Sequence, residues 1–171
     1  LDPARPDSGA VRERAEAVLA GRQVLFGRPV EVGWPPRWDW RWDGLPEAAD
    51  FAADVRSTWE IMRLQGILPL ARAARLAEGD RERYAAAYVE ALLTFLRDHP
   101  GPRGPAWSSA LEVGLRLIAL VQGLPLVAAS EAFVASDVAL LGLVDRHARW
   151  LAADLSLDKV VRGNHLLGEL A

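Results

Sequence analysis

Three short segments of this 171-residue chain carry side chains that can bind anionic groups or move protons. Residues 59–65 read W-E-I-M-R-L-Q, residues 107–116 read W-S-S-A-L-E-V-G-L-R, and residues 163–171 read G-N-H-L-L-G-E-L-A. The planar guanidinium of arginine matches carboxylate and sulfate groups, and glutamate and histidine side chains can transfer protons. Glu60 and Glu112 could also be the paired acids of a glycosidase, but nothing beyond their presence indicates that chemistry.

The amide and the imidazole of the last segment, Asn164 and His165, are adjacent at the expected first turn of a helix. Asn is a favoured N-cap residue, so Asn164 has a purely structural explanation. A lone histidine such as His165 is also more often packed or capping than catalytic. Only the whole string, with Leu166, Leu167 and Glu169 at their spacing, points beyond a helix cap.

The charged residues of the two earlier segments have two explanations that the sequence leaves open. Glu60 and Glu112 each follow a serine by three residues, which is the spacing of a capping box. Arg63 and Arg116 follow these glutamates by three and four residues, so each pair can also form within one helix. If the same charges face the interior of the fold, they form a buried network or a wall that binds sugar.

Aromatic residues offer a second kind of sugar contact, because their faces match the apolar faces of pyranose rings. Trp59 and Trp107 open the two earlier segments and are either core pillars or cleft walls. Residues 34–46 contain four further tryptophans, most of which are expected to cover the end of a helical array. Trp40 and Trp42 are the candidates in this loop for stacking on sugar.

The elements that position these segments are predicted to be mostly helical. Apolar residues recur at helical spacing between capping residues and turns rich in glycine or proline. We predict helices over residues 9–20, 57–77, 80–98, 109–124 and 137–155, and the start of another at residue 164. Pro69 should kink the second of them. Residues 24–26 and 30–32 flank G-R-P and predict a small β-hairpin.

Two sets of core residues follow from these helices. Tyr84 and Tyr88 lie on the apolar stripe of the third predicted helix and should be core residues. The fifth predicted helix should direct a helically spaced stripe inward, formed by Val138, Leu141, Val144, Ala148 and Leu151.

Composition narrows the class of protein. An apolar fraction of 51% supports one globular domain over residues 1–171, and a net charge of −3 argues against a nucleic-acid-binding surface. The chain has no cysteine, and its three histidines show no metal-ligand spacing, so we expect neither metal nor cofactor. Charged residues and a proline interrupt the most apolar stretch, residues 111–129, so we expect no membrane span.

In order and spacing, the three segments resemble the W-E-x-x-R, W-x-S-x-x-E-x-x-x-R and N-N-H-L-x-x-E signatures of the heparinase II/III-like polysaccharide lyases. The resemblance covers residues 17–171. It implies an all-α fold, in which antiparallel helical hairpins form an incomplete (α/α) toroid that corresponds to the N-terminal helical domain of the family. The rest of the toroid and a β-sandwich are then expected beyond Ala171.

The resemblance also implies a reaction, the β-elimination of a uronic-acid-containing polysaccharide. Asn164 matches the asparagine that neutralises the substrate carboxylate, and His165 matches the adjacent histidine that serves as base or substrate contact. Gly163 stands where the family has its first asparagine. The residues that match the remaining motif positions, and are expected to bind substrate, are Trp59, Glu60, Arg63, Trp107, Glu112 and Arg116.

The partners expected from the resemblance are an acidic polysaccharide and the missing C-terminal domains of the same protein. This chain alone is expected to be inactive, and its location to be periplasmic or secreted, although it begins Leu-Asp-Pro without a signal-peptide pattern. An apolar face at Leu166, Leu167 and Leu170 would support a homodimer.

A different function remains open, that of a non-catalytic helical domain that binds carbohydrate or serves as a scaffold for protein interaction. Residues 70–93 resemble one helix–turn–helix repeat of the tetratricopeptide kind. Such repeats recur at about 34 residues, and no second copy is present.

Overall fold

The computed structural model describes residues 8–38, 55–77 and 79–153. Within these ranges the chain is mostly helical, with two short strands near its N-terminal end. Single turns of 3₁₀-helix at Gln65–Ile67 and Pro105–Trp107 precede two of the helices. The other elements are α1 (Ser8–Leu19), β1 (Arg22–Leu25), β2 (Arg28–Glu31), α2 (Val55–Met62), α3 (Leu68–Leu76), α4 (Arg81–Asp98), α5 (Ala110–Val127), α6 (Glu131–Val134) and α7 (Asp137–Ala153).

Successive long helices pack as antiparallel hairpins. Helix α3 lies at the centre of the array, in contact with α1, α4 and α5, and α5 in turn packs against α7. The connector between α3 and α4 is short, residues 77–80, and a short connector makes the two helices that it joins run in opposite directions. The predicted all-α fold, an incomplete (α/α) toroid of helical hairpins with a small β-hairpin, is confirmed.

The predicted β-hairpin forms, but its turn lies one residue earlier than expected, and Arg28 and Pro29 belong to β2. Its strands pair antiparallel, from Arg22 opposite Glu31 to Leu25 opposite Arg28. The turn consists of Phe26 and Gly27, both with positive φ (50° and 77°), the signs that a tight hairpin turn of type I′ requires. The hairpin follows α1 directly, and a hydrogen bond from the Val32 amide to the Gly21 carbonyl (2.7 Å) joins the chain after β2 to a residue between α1 and β1.

The prediction of one helix over residues 57–77 with a kink at Pro69 is wrong. Helix α2 ends at Met62, and Leu64 then adopts a left-handed conformation with φ of 63°. A new helix begins at Leu68, with Pro69 in its first turn. Proline fits there because the first amides of a helix have no intrahelical acceptor. Ser57 is buried within α2 and therefore does not cap it.

The predicted inward stripe of α7 is wrong for most of its residues. Val138 is 82% and Leu141 56% exposed, and Ala148 is also exposed, whereas Leu151 is buried as predicted. The helix carries apolar residues on two adjacent faces, and periodicity does not distinguish the face that meets the core. The residues of α7 that are buried are Leu140, Leu143, His147 and Leu151.

Helix α5 is long and apolar enough, by length and composition alone, to cross a membrane. In this fold, 56% of the helix is buried inside the protein, where it contacts α3 and α7. Its two charged residues, Glu112 and Arg116, are buried in polar contacts with other elements. These features are those of a core helix.

The aromatic core is as expected for the residues that the structure describes. Tyr84 and Tyr88 are buried, and the Trp38 ring packs edge-on against Phe95, with ring centroids 5.6 Å apart. A hydrogen bond of 2.9 Å between His99 Nε2 and the Trp38 carbonyl holds Trp38, the last described residue of the tryptophan-rich segment, at the C-terminal end of α4. Trp40 and Trp42 lie outside the described residues.

The close contact between Gly21 and Gly33 leads to a testable prediction. Gly21 and Gly27 share a φ of 77°, but a Cβ at Gly21 would lie 2.9 Å from Gly33 Cα, whereas one at Gly27 meets nothing within 4 Å. Gly27→Ala should therefore cost about 1–2 kcal/mol of unfolding free energy from backbone strain alone. Gly21→Ala should cost about 1–3 kcal/mol more, because the backbones must also separate. Equal losses for the two variants in chemical denaturation would contradict this account of the packing.

Candidate functional site

The two earlier sequence segments meet where α2 ends and α5 begins. Trp59, in the last turns of α2, donates a hydrogen bond from its indole Nε1 to the Pro105 carbonyl (3.0 Å). Pro105 opens the 3₁₀ turn that leads into α5, and Ser108 donates a second hydrogen bond to the same carbonyl (2.9 Å). The W-E-x-x-R segment is thus attached to the turn that leads into the W-x-S-x-x-E-x-x-x-R segment.

An ion cluster joins the same two segments. Arg63 holds Glu112 with two parallel hydrogen bonds, from Nε to Oε2 (2.7 Å) and from Nη2 to Oε1 (2.9 Å). Its remaining terminal nitrogen, Nη1, pairs with Glu60, three residues earlier on α2. Hydrogen bonding to Glu112 is the largest effect that raises the pKa of Arg63, and the charges of Glu112 and Glu60 add to it. The two parallel bonds to Glu112 are of the strong, bidentate kind, and the single bond to Glu60 adds a second carboxylate.

These contacts decide between the two explanations of the charged residues. Ser109 is at the N-cap position of α5 but makes no side-chain capping bond, so the capping-box interpretation of Glu112 is wrong. Glu112 is buried, with its side chain 3% exposed, and its carboxylate pairs across helices with Arg63. The intrahelical pair of Glu60 with Arg63 does form, at a side-chain exposure of 23% for each residue.

Arg116 lies beneath this cluster and is completely buried. Its guanidinium donates to His147 Nε2 (2.8 Å), to the Met62 carbonyl (3.1 Å) and to the Ala106 carbonyl. Its planar face lies over two aromatic rings, 5.2 Å from the centroid of Phe95 and 5.5 Å from that of Trp107. Burial lowers the pKa of Arg116 to about 9, which the charge of Glu112 partly opposes, so the side chain is charged at neutral pH.

His147 completes the buried network from α7. Its Nδ1 faces the Leu143 carbonyl at 2.7 Å, so Nδ1 carries the proton and Nε2 accepts the hydrogen bond from Arg116. Burial, followed by the charge of Arg116, lowers the pKa of His147 to about 3. The imidazole is therefore neutral, and it stacks at a tilt on Trp107, with centroids 4.6 Å apart.

The six residues predicted to bind substrate lie together, but at two depths. Trp59, Glu60 and Arg63 are half-buried and reach the surface. Beneath them, Trp107, Glu112 and Arg116 are 3%, 2% and 0% exposed, and they contact protein groups. Their role in substrate binding stays a prediction, and in this geometry the buried three would act by positioning the exposed three.

Asn164 and His165, predicted to be catalytic, lie outside the described residues, and so do Leu166, Leu167 and Leu170. His147 is the network member that sequence reasoning missed. Its signal was present, since Leu143 and Leu151 flank it at four-residue spacing and place it on the buried face of α7. Over the described ranges, no three His, Asp or Glu side chains are grouped so that they could hold a metal ion.

Comparison with known proteins gives one informative likeness. No protein-family model matches the chain, and no curated protein matches it. The crystal structure of a mutant of the heparan sulfate lyase HepC from Pedobacter heparinus is similar over 99% of this chain, with a TM-score of 0.75 and 24% sequence identity. The chain has a polysaccharide lyase-like helical fold. It spans 25% of the length of HepC.

Because Arg116 is buried, we predict that its substitution destabilises the protein more than the same substitution of an exposed arginine. Arg116→Met should lower the unfolding free energy by about 3 kcal/mol or more, because two carbonyls and an imidazole nitrogen lose their buried donor. The matched surface change, Arg149→Met, removes an arginine whose side chain is 79% exposed and which pairs with Asp145 in the same helix. Its melting temperature should stay close to that of the wild type. Similar melting curves for the two variants would refute the anchoring role of Arg116.

The neutral state of His147 predicts a pH dependence of stability. Because the folded pKa is about 3 and the unfolded value 6.5, the unfolded chain binds a proton over this range that the folded chain does not. Stability is therefore complete above pH 6.5 and falls on acidification, by about 2 kcal/mol at pH 5. His147→Gln should flatten this slope between pH 5 and 7 in denaturant titrations.

A second lowered pKa lies outside that interval. Hydrogen bonding to Arg83 lowers the pKa of the Glu16 carboxyl from 4.5 to about 2, so its contribution is lost only below pH 4.5. A His147→Gln variant that keeps the wild-type slope between pH 5 and 7 would show that another group titrates there.

Proposed function

We propose that this chain is the helical part of a polysaccharide lyase that cleaves uronic-acid-containing polysaccharide by β-elimination. One observation carries the proposal. In a fold similar to that of a heparan sulfate lyase over 99% of the chain, the W-E-x-x-R and W-x-S-x-x-E-x-x-x-R segments contact each other directly. Residues that match the family in sequence order thus also form one cluster in space.

In the proposed reaction, Asn164 neutralises the carboxylate of the bound uronate, which lowers the pKa of the C5 proton. His165 removes that proton or contacts the substrate, and the leaving O4 receives a proton from an acid elsewhere in the protein. Preorganised stabilisation of the developing enolate is usually the largest effect in such a site. General acid–base transfer contributes about 10²–10⁴-fold more.

The described residues support this chemistry by position. Arg116 is bound to carbonyls at the end of α2 and in the 3₁₀ turn before α5, so it fixes the two segments relative to each other. Trp59, Glu60 and Arg63 then form the exposed side of the cluster. Glu60 can accept hydrogen bonds from sugar hydroxyls, and the Trp59 ring can contact the apolar face of a sugar.

Charge balance limits what this cluster does for a polyanion. Two glutamates, Glu60 and Glu112, accompany two arginines, Arg63 and Arg116, and the guanidinium of Arg63 is already shared between the two carboxylates. The cluster is neutral as a whole and offers no spare cation. It therefore positions the sugar backbone, whereas recognition of the acidic groups requires other residues.

The proposal also includes the binding partner, the remaining domains and the location of the protein. An acidic polysaccharide is the proposed partner, the remaining catalytic groups belong to further domains of the same protein, and the proposed location is periplasmic or secreted. The competing function is a helical domain that binds carbohydrate without cleaving it, or a protein-interaction scaffold. The two functions differ in whether an unsaturated uronate product forms.

The decisive test is Asn164→Asp in the full-length protein. Asp caps a helix about as well as Asn, so the fold and melting temperature should be preserved. If Asn164 neutralises the substrate carboxylate, the change places a negative charge against a negative group. Turnover should then fall by about 10²-fold or more, the scale of losing one electrostatic stabiliser. The measurement is the ultraviolet absorbance of the unsaturated product on heparan sulfate, hyaluronan and alginate.

The matched control is Asn164→Ser, which also caps but introduces no charge and should lose less activity. A full-length Asn164→Asp protein with near-native turnover would reduce this residue to a helix cap. A wild-type full-length protein that binds these polysaccharides but forms no unsaturated product would favour the binding domain.

A further inference from the structure

A depression of about 410 Å³ lies beside the cluster, between the end of α4 and the 3₁₀ turn before α5. This volume falls within the range typical of small-molecule sites. The depression has one basic and one acidic side chain at its rim and otherwise mostly proline and glycine. Its lining residues are Asp98, His99, Pro100, Gly101, Arg103, Gly104 and Pro105.

The wall of this depression is a loop, but side chains from other elements hold it at both ends. Arg146 of α7 donates to the Pro100 carbonyl, and the His99 ring is hydrogen bonded to the Trp38 carbonyl. At the other end, Trp59 donates to the Pro105 carbonyl. These contacts hold the loop in place, and the depression is connected to the first motif through the hydrogen bond of Trp59 to Pro105.

Gly104 gives the wall a conformation that other residues rarely adopt. Its φ of 81° and ψ of −176° lie in a region that is essentially restricted to glycine. A Cβ there would meet nothing within 4 Å, so the backbone conformation, and not lack of space, requires glycine. Backbone of this kind is concentrated at functional sites.

Arg103 supplies the charge that the cluster does not. It is exposed, and its guanidinium has no hydrogen-bond or ion-pair partner in the part of the chain that the structure describes. The acidic residue on the rim, Asp98, pairs instead with Arg97 (3.1 Å). Arg103 thus differs from Arg63 and Arg116, whose donors are already engaged.

We propose that this depression is a saccharide subsite in which Arg103 binds the carboxylate or sulfate of an acidic sugar. The guanidinium fork matches either group with two parallel hydrogen bonds, and Pro100 and Pro105 offer apolar surface to the ring. The subsite rests on the proposed function for its class of ligand, and it adjoins the cluster through Trp59. It supplies recognition of charge next to residues that position the sugar backbone.

The test is titration calorimetry of the 171-residue chain at low salt with three oligosaccharides. Heparan sulfate tetrasaccharide offers sulfate and carboxylate, hyaluronan tetrasaccharide offers carboxylate alone, and chitotetraose is neutral. Arg103→Gln should weaken binding of the acidic oligosaccharides by about tenfold, the scale of one charged pair, and leave chitotetraose unaffected. Asp98→Asn should strengthen binding of the acidic oligosaccharides, because it removes a negative charge from the rim. The exposed Arg72→Gln of α3 is the matched control and should bind like the wild type.

Loss of heparan sulfate binding alone would assign Arg103 to sulfate, and loss of both acidic ligands would assign it to carboxylate. Equal affinities of the wild type and Arg103→Gln, or no binding of either acidic ligand, would overturn the subsite. Failure of the lyase proposal has a different signature. The full-length protein would then form no unsaturated product, while binding that depends on Arg103 persisted in the chain.

Discussion

The rest of this site depends on the hydrogen bonds that the buried guanidinium of Arg116 donates. The last carbonyls of a helix have no intrahelical donor, and the Met62 carbonyl at the end of α2 is one of them. Arg116 donates to it, to the Ala106 carbonyl in the 3₁₀ turn, and to His147 of α7. A single side chain of α5 thus joins the end of α2, the 3₁₀ turn and α7. Its positive charge at the end of α2 also complements the helix dipole.

This role explains the spacing of the motif. Trp107 covers one face of the guanidinium, and Glu112 and Arg116, four residues apart, lie on one side of α5. Glu112 is then placed to receive Arg63 from the other segment. Trp107, Glu112 and Arg116 therefore hold the two segments together. Trp59, Glu60 and Arg63, which these contacts hold half-buried at the surface, are the residues of the two segments that we propose to bind sugar.

Much of the fold was predictable because its signals are local. Helical spacing and turn residues predicted α1, α4, α5 and the β-hairpin nearly to their ends. The break at Leu64 was not predictable, because a left-handed residue is normally glycine or asparagine and no such signal precedes it. The sequence motifs identified the six residues of the cluster, but they did not show which of them are buried and which reach the surface. The four-residue spacing indicated that Glu112 could pair with Arg116 on its own helix. In the structure Glu112 pairs with Arg63, because the end of α2 meets the start of α5.

Because the cluster is neutral as a whole, it cannot by itself attract the acidic polysaccharide that we propose as the partner. A buried cation such as Arg116 persists only because acceptors, rings and a nearby carboxylate compensate for its desolvation, so it cannot also serve a ligand. Arg63, held by Glu112 and Glu60, is committed in the same way. In such a site the paired charges fix the geometry of the protein. Attraction of an acidic ligand then requires an unpaired cation at the rim. Among the residues that line the adjacent depression, Arg103 meets that requirement.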